Sequence, residues 1–239
     1  MWRDDLVDRS WAVLAHLREL SAFILIGGWA VYFWTHRLKS RDVDLCINQD
    51  SFYKLQSELQ KENVYVNRNP RLRMYEAKIG DIDVDIYTPF QSNLTIPVAT
   101  LFERRWHANI EGYEIALPEV LLLLKSQAAR ERWNSERGVK DRVDLLALLL
   151  YTDWKEALLR ELAESFDATR QLLGVLAKTV KESRIEYRYL DARFEHEGRR
   201  LRDTVDGLVT HGGLLQRSQH LSEVAVNGLH EGQSEDSKS

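Results

Sequence analysis

A pair of glycines, Gly27-Gly28, followed at a fixed distance by Asp42-Val43-Asp44, restricts this chain more than any other feature. Residues 23 to 26 are a continuous apolar run, Phe-Ile-Leu-Ile, which predicts a strand buried on both faces and ending in the glycines. The thirteen residues between Gly28 and Asp42 leave room for one short helix, near 29 to 34, and a return. A strand, a glycine turn, a helix and an acidic strand near 43 to 47 therefore follow in order. Glycines at such a turn let backbone N–H groups approach a phosphate with no Cβ in the way, and the helix dipole favours the negative charge.

Asp42 and Asp44 are two apart in extended chain, so both point to one face while Val43 and Leu45 point to the other. Two carboxylates held side by side repel unless a cation lies between them. A divalent metal does this, and a pair of metals clamps the attacking and leaving oxygens of a phosphoryl displacement. The bland alternative is an exposed strand face. A second acidic strand follows at 82 to 87, where Asp83 and Asp85 share the face opposite Ile82, Val84 and Ile86. Gly80-Asp81 suits a tight hairpin joining it to a strand over 72 to 79. Laid beside the first acidic strand, it completes a triad whose third carboxylate acts as general base, with Asp85 the first choice and Asp83 the second.

Gly27-Gly28-Trp29, the helix, Asp42-Val43-Asp44 and Asp85 resemble the motifs of the DNA polymerase β-like nucleotidyltransferase superfamily, over roughly residues 22 to 90. The resemblance implies an NTP donor bound at Gly27 and Gly28 and two Mg2+ ions (magnesium) as cofactors. It makes Asp42 and Asp44 ligands of both metals, and Asp85 a ligand and the base. Many members carry Ser or Thr after the two glycines, where a hydroxyl contacts the donor phosphates; here Trp29 stands there. That variant looks like the lincosamide- and aminoglycoside-modifying branches.

From Leu117 onward the pattern turns helical. Pro118-Glu119 is a good first turn, residues 120 to 133 and 139 to 151 continue as helices, and 153 to 205 reads as two or three more. Earlier, Ser10 is expected to cap a helix over 11 to 20, and Phe52, Leu55 and Leu59 predict another over 51 to 61. The expected fold class is α/β (α+β): a nucleotidyltransferase-fold mixed sheet with flanking helices over 1–115, then a helical domain over 116–226 and a disordered tail over 227–239. Lys125 lies within an apolar helical stripe, where a lysine either snorkels or meets an anion, and a triphosphate would supply one. Arg130, Arg132, Arg137 and Lys140 add to the field. The stretch 125 to 144 resembles the C-terminal motifs of AbiEii-type toxin nucleotidyltransferases, which implies that Lys125, Lys140, Asp141 and Asp144 line a nucleotide pocket. The alternative is that Asp141 complements a helix dipole and Lys140 is solvated.

The net charge of −4 argues against indiscriminate nucleic-acid coating. Six arginines between Arg184 and Arg202 fall among four acids, a solvated ion-paired face or an RNA-facing patch. A single cysteine, Cys46, excludes an internal disulfide and is read as a core residue; with no apolar run of about 20 residues, a cytoplasmic protein with no membrane contact is expected. His16, His36 and His107 form no ligand spacing. The expected function is transfer of NMP from an NTP to an RNA end, with Lys125 holding the departing charge and an antitoxin protein as a partner implied by the toxin-like resemblance. Alternatives are a small hydroxylated acceptor and a non-catalytic nucleotide-binding module.

Overall fold

The computed structural model describes residues 4–211, with side chains from 5 to 208. The tail expected to be disordered, 227–239, lies outside the described residues, as does the end of the expected helical domain. The chain begins with α1 (Asp4–Leu20), β1 (Ile24–Ile26), α2 (Gly27–Thr35), β2 (Val43–Cys46) and α3 (Gln49–Lys61). It continues with β3 (Asn67–Asn69), β4 (Met74–Ile79), β5 (Ile82–Tyr87), α4 (Val98–Glu103), β6 (His107–Ile110) and β7 (Tyr113–Ala116). The rest of the described chain is helical: α5 (Pro118–Glu131), α6 (Glu136–Tyr151), α7 (Glu156–Ser165), α8 (Thr169–Glu182), a 3-10 turn (Glu186–Leu190) and α9 (Glu197–His211).

The strands form one mixed sheet in the order β3-β4-β5-β2-β1-β7-β6. The β1–β7 and β2–β5 pairs are parallel and the others antiparallel. All three residues of β1 are buried, as a continuous apolar run requires. Leu25, Leu45, Val84, Ile86 and Ile115 from the sheet join Val120 to Leu123 of α5 and Leu145, Leu146 and Leu148 of α6 in one buried cluster. The core is thus continuous across residue 115, and α2 packs against both α5 and α6. No helix among the described residues is long and apolar enough to cross a membrane.

The structure corrects the first helix. Ser10 is not a cap: α1 starts six residues earlier, and Ser10 is fully buried, with its Oγ accepting a 2.8 Å hydrogen bond from Trp29 Nε1. An indole N–H in the core needs an acceptor, and this one displaces the buried face of α1 onto Val7, Ser10, Leu14 and Leu17. Trp11 is off that face: it is 37% exposed and leans on Trp29 and Phe33. Helix α6 begins at Glu136 because the Ser135 side chain accepts from Gly138 N.

The hairpin of β6 and β7 was not expected. It turns through Glu111 and Gly112, both at positive φ, a pairing that favours glycine at its second position. The polar edge strand β3 carries no alternation that would reveal it. The stretch 184–202 is not one continuous helix face: Arg184, Arg188, Arg193, Arg199 and Arg200 are exposed as expected, but it holds a 3-10 turn, Glu186 is buried against Arg142 at 2.6 Å, and Tyr187 is fully buried.

Candidate active site

Strand β1 ends at Ile26 and α2 starts at the next residue, with no intervening loop. Such a reversal requires Gly27 at φ +70, a left-handed backbone. Space demands glycine as strongly: a Cβ on Gly27 would stand 1.9 Å from Asp44 Oδ2, and one on Gly28 would stand 2.6 Å from Ser40 Oγ. The glycine turn is therefore packed directly on the acidic strand. The expectation that these glycines leave room for a ligand is incomplete, since they first leave room for Asp44 and Ser40.

Parallel pairing of β2 with β5 sets Asp44 directly opposite Asp85, and Asp42 lies two residues before Asp44. All three aspartates line a cavity of about 220 Å³, together with Gly27, Gly28 and Ser40. Asp83, the second choice for the third carboxylate, is exposed, lies 3.6 Å from Lys78 and is not on the cavity wall.

The acidic wall is short of positive charge. Burial, reinforced by the negative charge of Asp42, pushes the Asp44 carboxyl up to about 6. Burial together with Asp44 and Asp42 pushes Asp85 up to about 8. Asp42 goes the other way. Burial opposes its charge, but the hydrogen bond from Ser40 and the positive charges of Lys125 and Arg137 outweigh it and hold the carboxyl below its usual value. Cys46, behind this wall, has its thiol pushed up by burial and Asp44, so it is no nucleophile.

Helices α5 and α6 supply the opposite wall, with Lys125, Arg132, Arg137, Lys140, Asp141 and Asp144. Lys125 Nζ lies 2.8 Å from Asp144 Oδ2 and donates to Asp141 Oδ1 at 3.2 Å. Arg132 grips Asp141 with two hydrogen bonds, from Nε at 2.6 Å and from Nη2 at 3.0 Å, and Lys140 pairs with Asp144. Two expectations change here. Lys125 does not wait for a triphosphate to meet an anion, because Asp141 and Asp144 already supply two; burial alone would depress it, yet Asp144, Asp141 and Asp44 hold it strongly protonated. Lys140 is not solvated and Asp141 is not an exposed helix-start acid: they are 7% and 1% exposed. Arg130 is exposed and off the cavity wall.

Ser40 and the hairpin residues Leu72 and Met74 also line the cavity and escaped notice in the sequence. Strand spacing does not reveal Ser40, because residues 41 and 42 form a bend before β2 begins at Val43. Among the described residues, no three carboxylate, imidazole or thiolate groups close on a single point, so the acidic wall is an open donor set and not a cage. His16 and His107 are held by Glu62 and Glu114 at 2.9 and 2.7 Å.

Although burial opposes its charge, the Asp141 carboxyl is held below its ordinary value by Lys125 and Arg132. A carboxylate whose folded value is depressed contributes stability above its unfolded value, about 3.9, and loses it as pH falls through the folded value. Asp141→Asn should therefore cost about 2 kcal/mol at pH 7, where charge-assisted hydrogen bonds are lost. That deficit should shrink below about pH 4, as the wild-type carboxyl itself becomes protonated. Urea denaturation at pH 7 and pH 3 measures both.

No protein-family profile matches the chain, and no curated protein matches it. Solved structures similar to it include an antigenic nucleotidyltransferase-like protein from Paracoccidioides brasiliensis, 16% identical, covering 80% of this chain and 94% of that one with a TM-score of 0.47. Another is JHP933 from Helicobacter pylori, 16% identical, covering 94% and 100% with a TM-score of 0.46. A third is the antibiotic-resistance factor ANT(2'')-Ia, 15% identical, covering 70% and 93% with a TM-score of 0.44.

Proposed function

We propose that this chain is a magnesium-dependent nucleotidyltransferase that moves NMP from an NTP to a hydroxyl at an RNA end. The observation that carries the reading is the facing pair Asp44 and Asp85, with Asp42 beside them, across one cavity from the cations of α5 and α6. The donor set fits a hard divalent cation. Its members are carboxylate oxygens with raised or contested proton affinity, and magnesium is commonly held by one or two carboxylates together with substrate phosphates and water. Asp42, Asp44 and Asp85 would hold it, and when bound it supplies neutralisation of phosphate charge and orientation of the reacting oxygens.

The chain's own residues supply the rest. Lys125, Lys140, Arg132 and Arg137 give the cavity a cationic side for a triphosphate, while Gly27 and Gly28 bring the first turn of α2 to its edge. Asp85, opposite Asp44 on the cavity wall, takes the proton of the acceptor O–H. The acceptor oxygen then bonds to the α-phosphorus as the bond to the bridging oxygen breaks, and pyrophosphate leaves with its charge facing the lysines and arginines.

A polyanionic acceptor is favoured by the rim. Leu72 lines the cavity, is 43% exposed, and is flanked in the β3–β4 turn by Arg71 and Arg73, both exposed. Asn69 Oδ1 accepts from Leu72 N and fixes that turn. Arginines beside an exposed apolar platform suit phosphates and bases, and they repel a polycationic small molecule.

Labelled NTPs, magnesium and either total RNA or a panel of small hydroxylated molecules test the reading, with Asp42→Ala alongside. Label entering RNA only with the wild type supports it. Label entering only a small molecule transfers the acceptor to the alternative class. No labelling, with the wild type and Asp42→Ala alike, overturns the activity.

A further inference from the structure

Ser40 belongs to no helix or strand, yet it is only 5% exposed and lines the cavity. Its Oγ donates to Asp42 Oδ1 at 2.7 Å. Its body fills the place that a side chain on Gly28 would take: a Cβ there would lie 2.6 Å from Ser40 Oγ and 2.9 Å from Ser40 Cβ, with Lys140 Nζ 3.6 Å away. Ser40 is thus wedged between the first turn of α2 and the acidic strand, close to a cation from α6. Asp44 is supported differently, by direct packing on Gly27.

We infer that Ser40 is a positioning residue: its hydroxyl fixes the Asp42 carboxylate so that the oxygen not bonded to Ser40 faces a divalent cation, and Gly28 lacks a side chain so that Ser40 fits. The inference rests on the proposed cation site. It is independent of which acceptor the enzyme uses. A carboxylate held on one oxygen by a buried hydroxyl loses less rotational freedom when its other oxygen meets a metal, so the hydroxyl contributes to affinity without touching the ion.

The test is Mn2+ binding by calorimetry, in the absence of nucleotide, on wild type, Ser40→Ala, Ser40→Cys and Asp42→Asn, with thermal unfolding of each. Ser40→Ala should weaken Mn2+ binding by about 10- to 100-fold, the usual effect of removing a group that orients a ligand. Turnover should need a correspondingly higher magnesium concentration, while KM for the NTP at saturating magnesium stays near wild type. Ser40→Cys keeps the volume and donates only weakly, so it should show the same loss even where the alanine variant unfolds. Wild-type Mn2+ affinity in a folded Ser40 variant, with Asp42→Asn defective, would overturn the positioning role alone. Undiminished binding by Asp42→Asn would overturn the cation site beneath it.

Discussion

Gly27→Ala is expected to reduce turnover by about 100-fold or more, because displacing a reacting group by about 1 Å costs that much. The added Cβ would stand 1.9 Å from Asp44 Oδ2 and 2.5 Å from its Cγ, so the carboxylate has to leave its position opposite Asp85. The left-handed backbone at φ +70 adds strain. Together, a backbone penalty of about 1–3 kcal/mol and an overpacking penalty of similar size predict a clear fall in Tm. Gly80→Ala separates the two causes. Gly80 also has positive φ, at +62, but nothing lies within 4 Å of its added Cβ, so this variant should lose a little stability and no activity. Equal activity losses in the two variants would mean that backbone strain, and not the contact with Asp44, governs the site.

Lys125→Met carries the second large effect. The lysine is 8% exposed and serves Asp141 and Asp144 at once, with Asp44 also within its field. Asp141 would keep Arg132 and Asp144 would keep Lys140, but each would lose one of its two cations in a buried network, at a cost of up to about 3–5 kcal/mol. Chemical denaturation should show that loss at pH 7. Adding Asp141→Asn changes a carboxylate that has already lost its contact with Lys125, so the double variant should be less destabilised than the sum of the single ones. Activity should not return with stability, since the cavity still lacks the cation that faces Asp44. Additive destabilisation would show that the two side chains are not coupled.

Much of the acidic half was legible because strand spacing is a strict rule. Asp42 and Asp44 share a face at a separation of two, and the alternation from Ile82 to Tyr87 sends Asp85 to the same kind of face. Choosing Asp85 over Asp83 was harder, since both obey the alternation. The choice depends on register against a neighbouring strand, which pairs Asp44 with Asp85 and leaves Asp83 beside Lys78. The helical wall was read less completely. Lys125 stood out as a charge in an apolar stripe, but its partners are 16 and 19 residues away on another helix, and helical periodicity says nothing about which helix comes next to which. Ser10 misled for a related reason: a serine before an apolar helix resembles a cap, and only the distant Trp29 N–H reveals its use.

The continuity of the core across residue 115 bears on how the chain acquires its chemistry during synthesis. The carboxylates at 42, 44 and 85 emerge from the ribosome well before Lys125, Arg132 and Lys140, which line the other side of the same cavity. A nascent chain folded only through β7 carries a row of mutually repelling acids without the cations of α5 and α6. If the chain acts as proposed, competence therefore arrives late and nearly all at once, when α5 and α6 dock on α2, and a chain truncated before them is a sheet bearing acids without the basic side chains of the opposite wall.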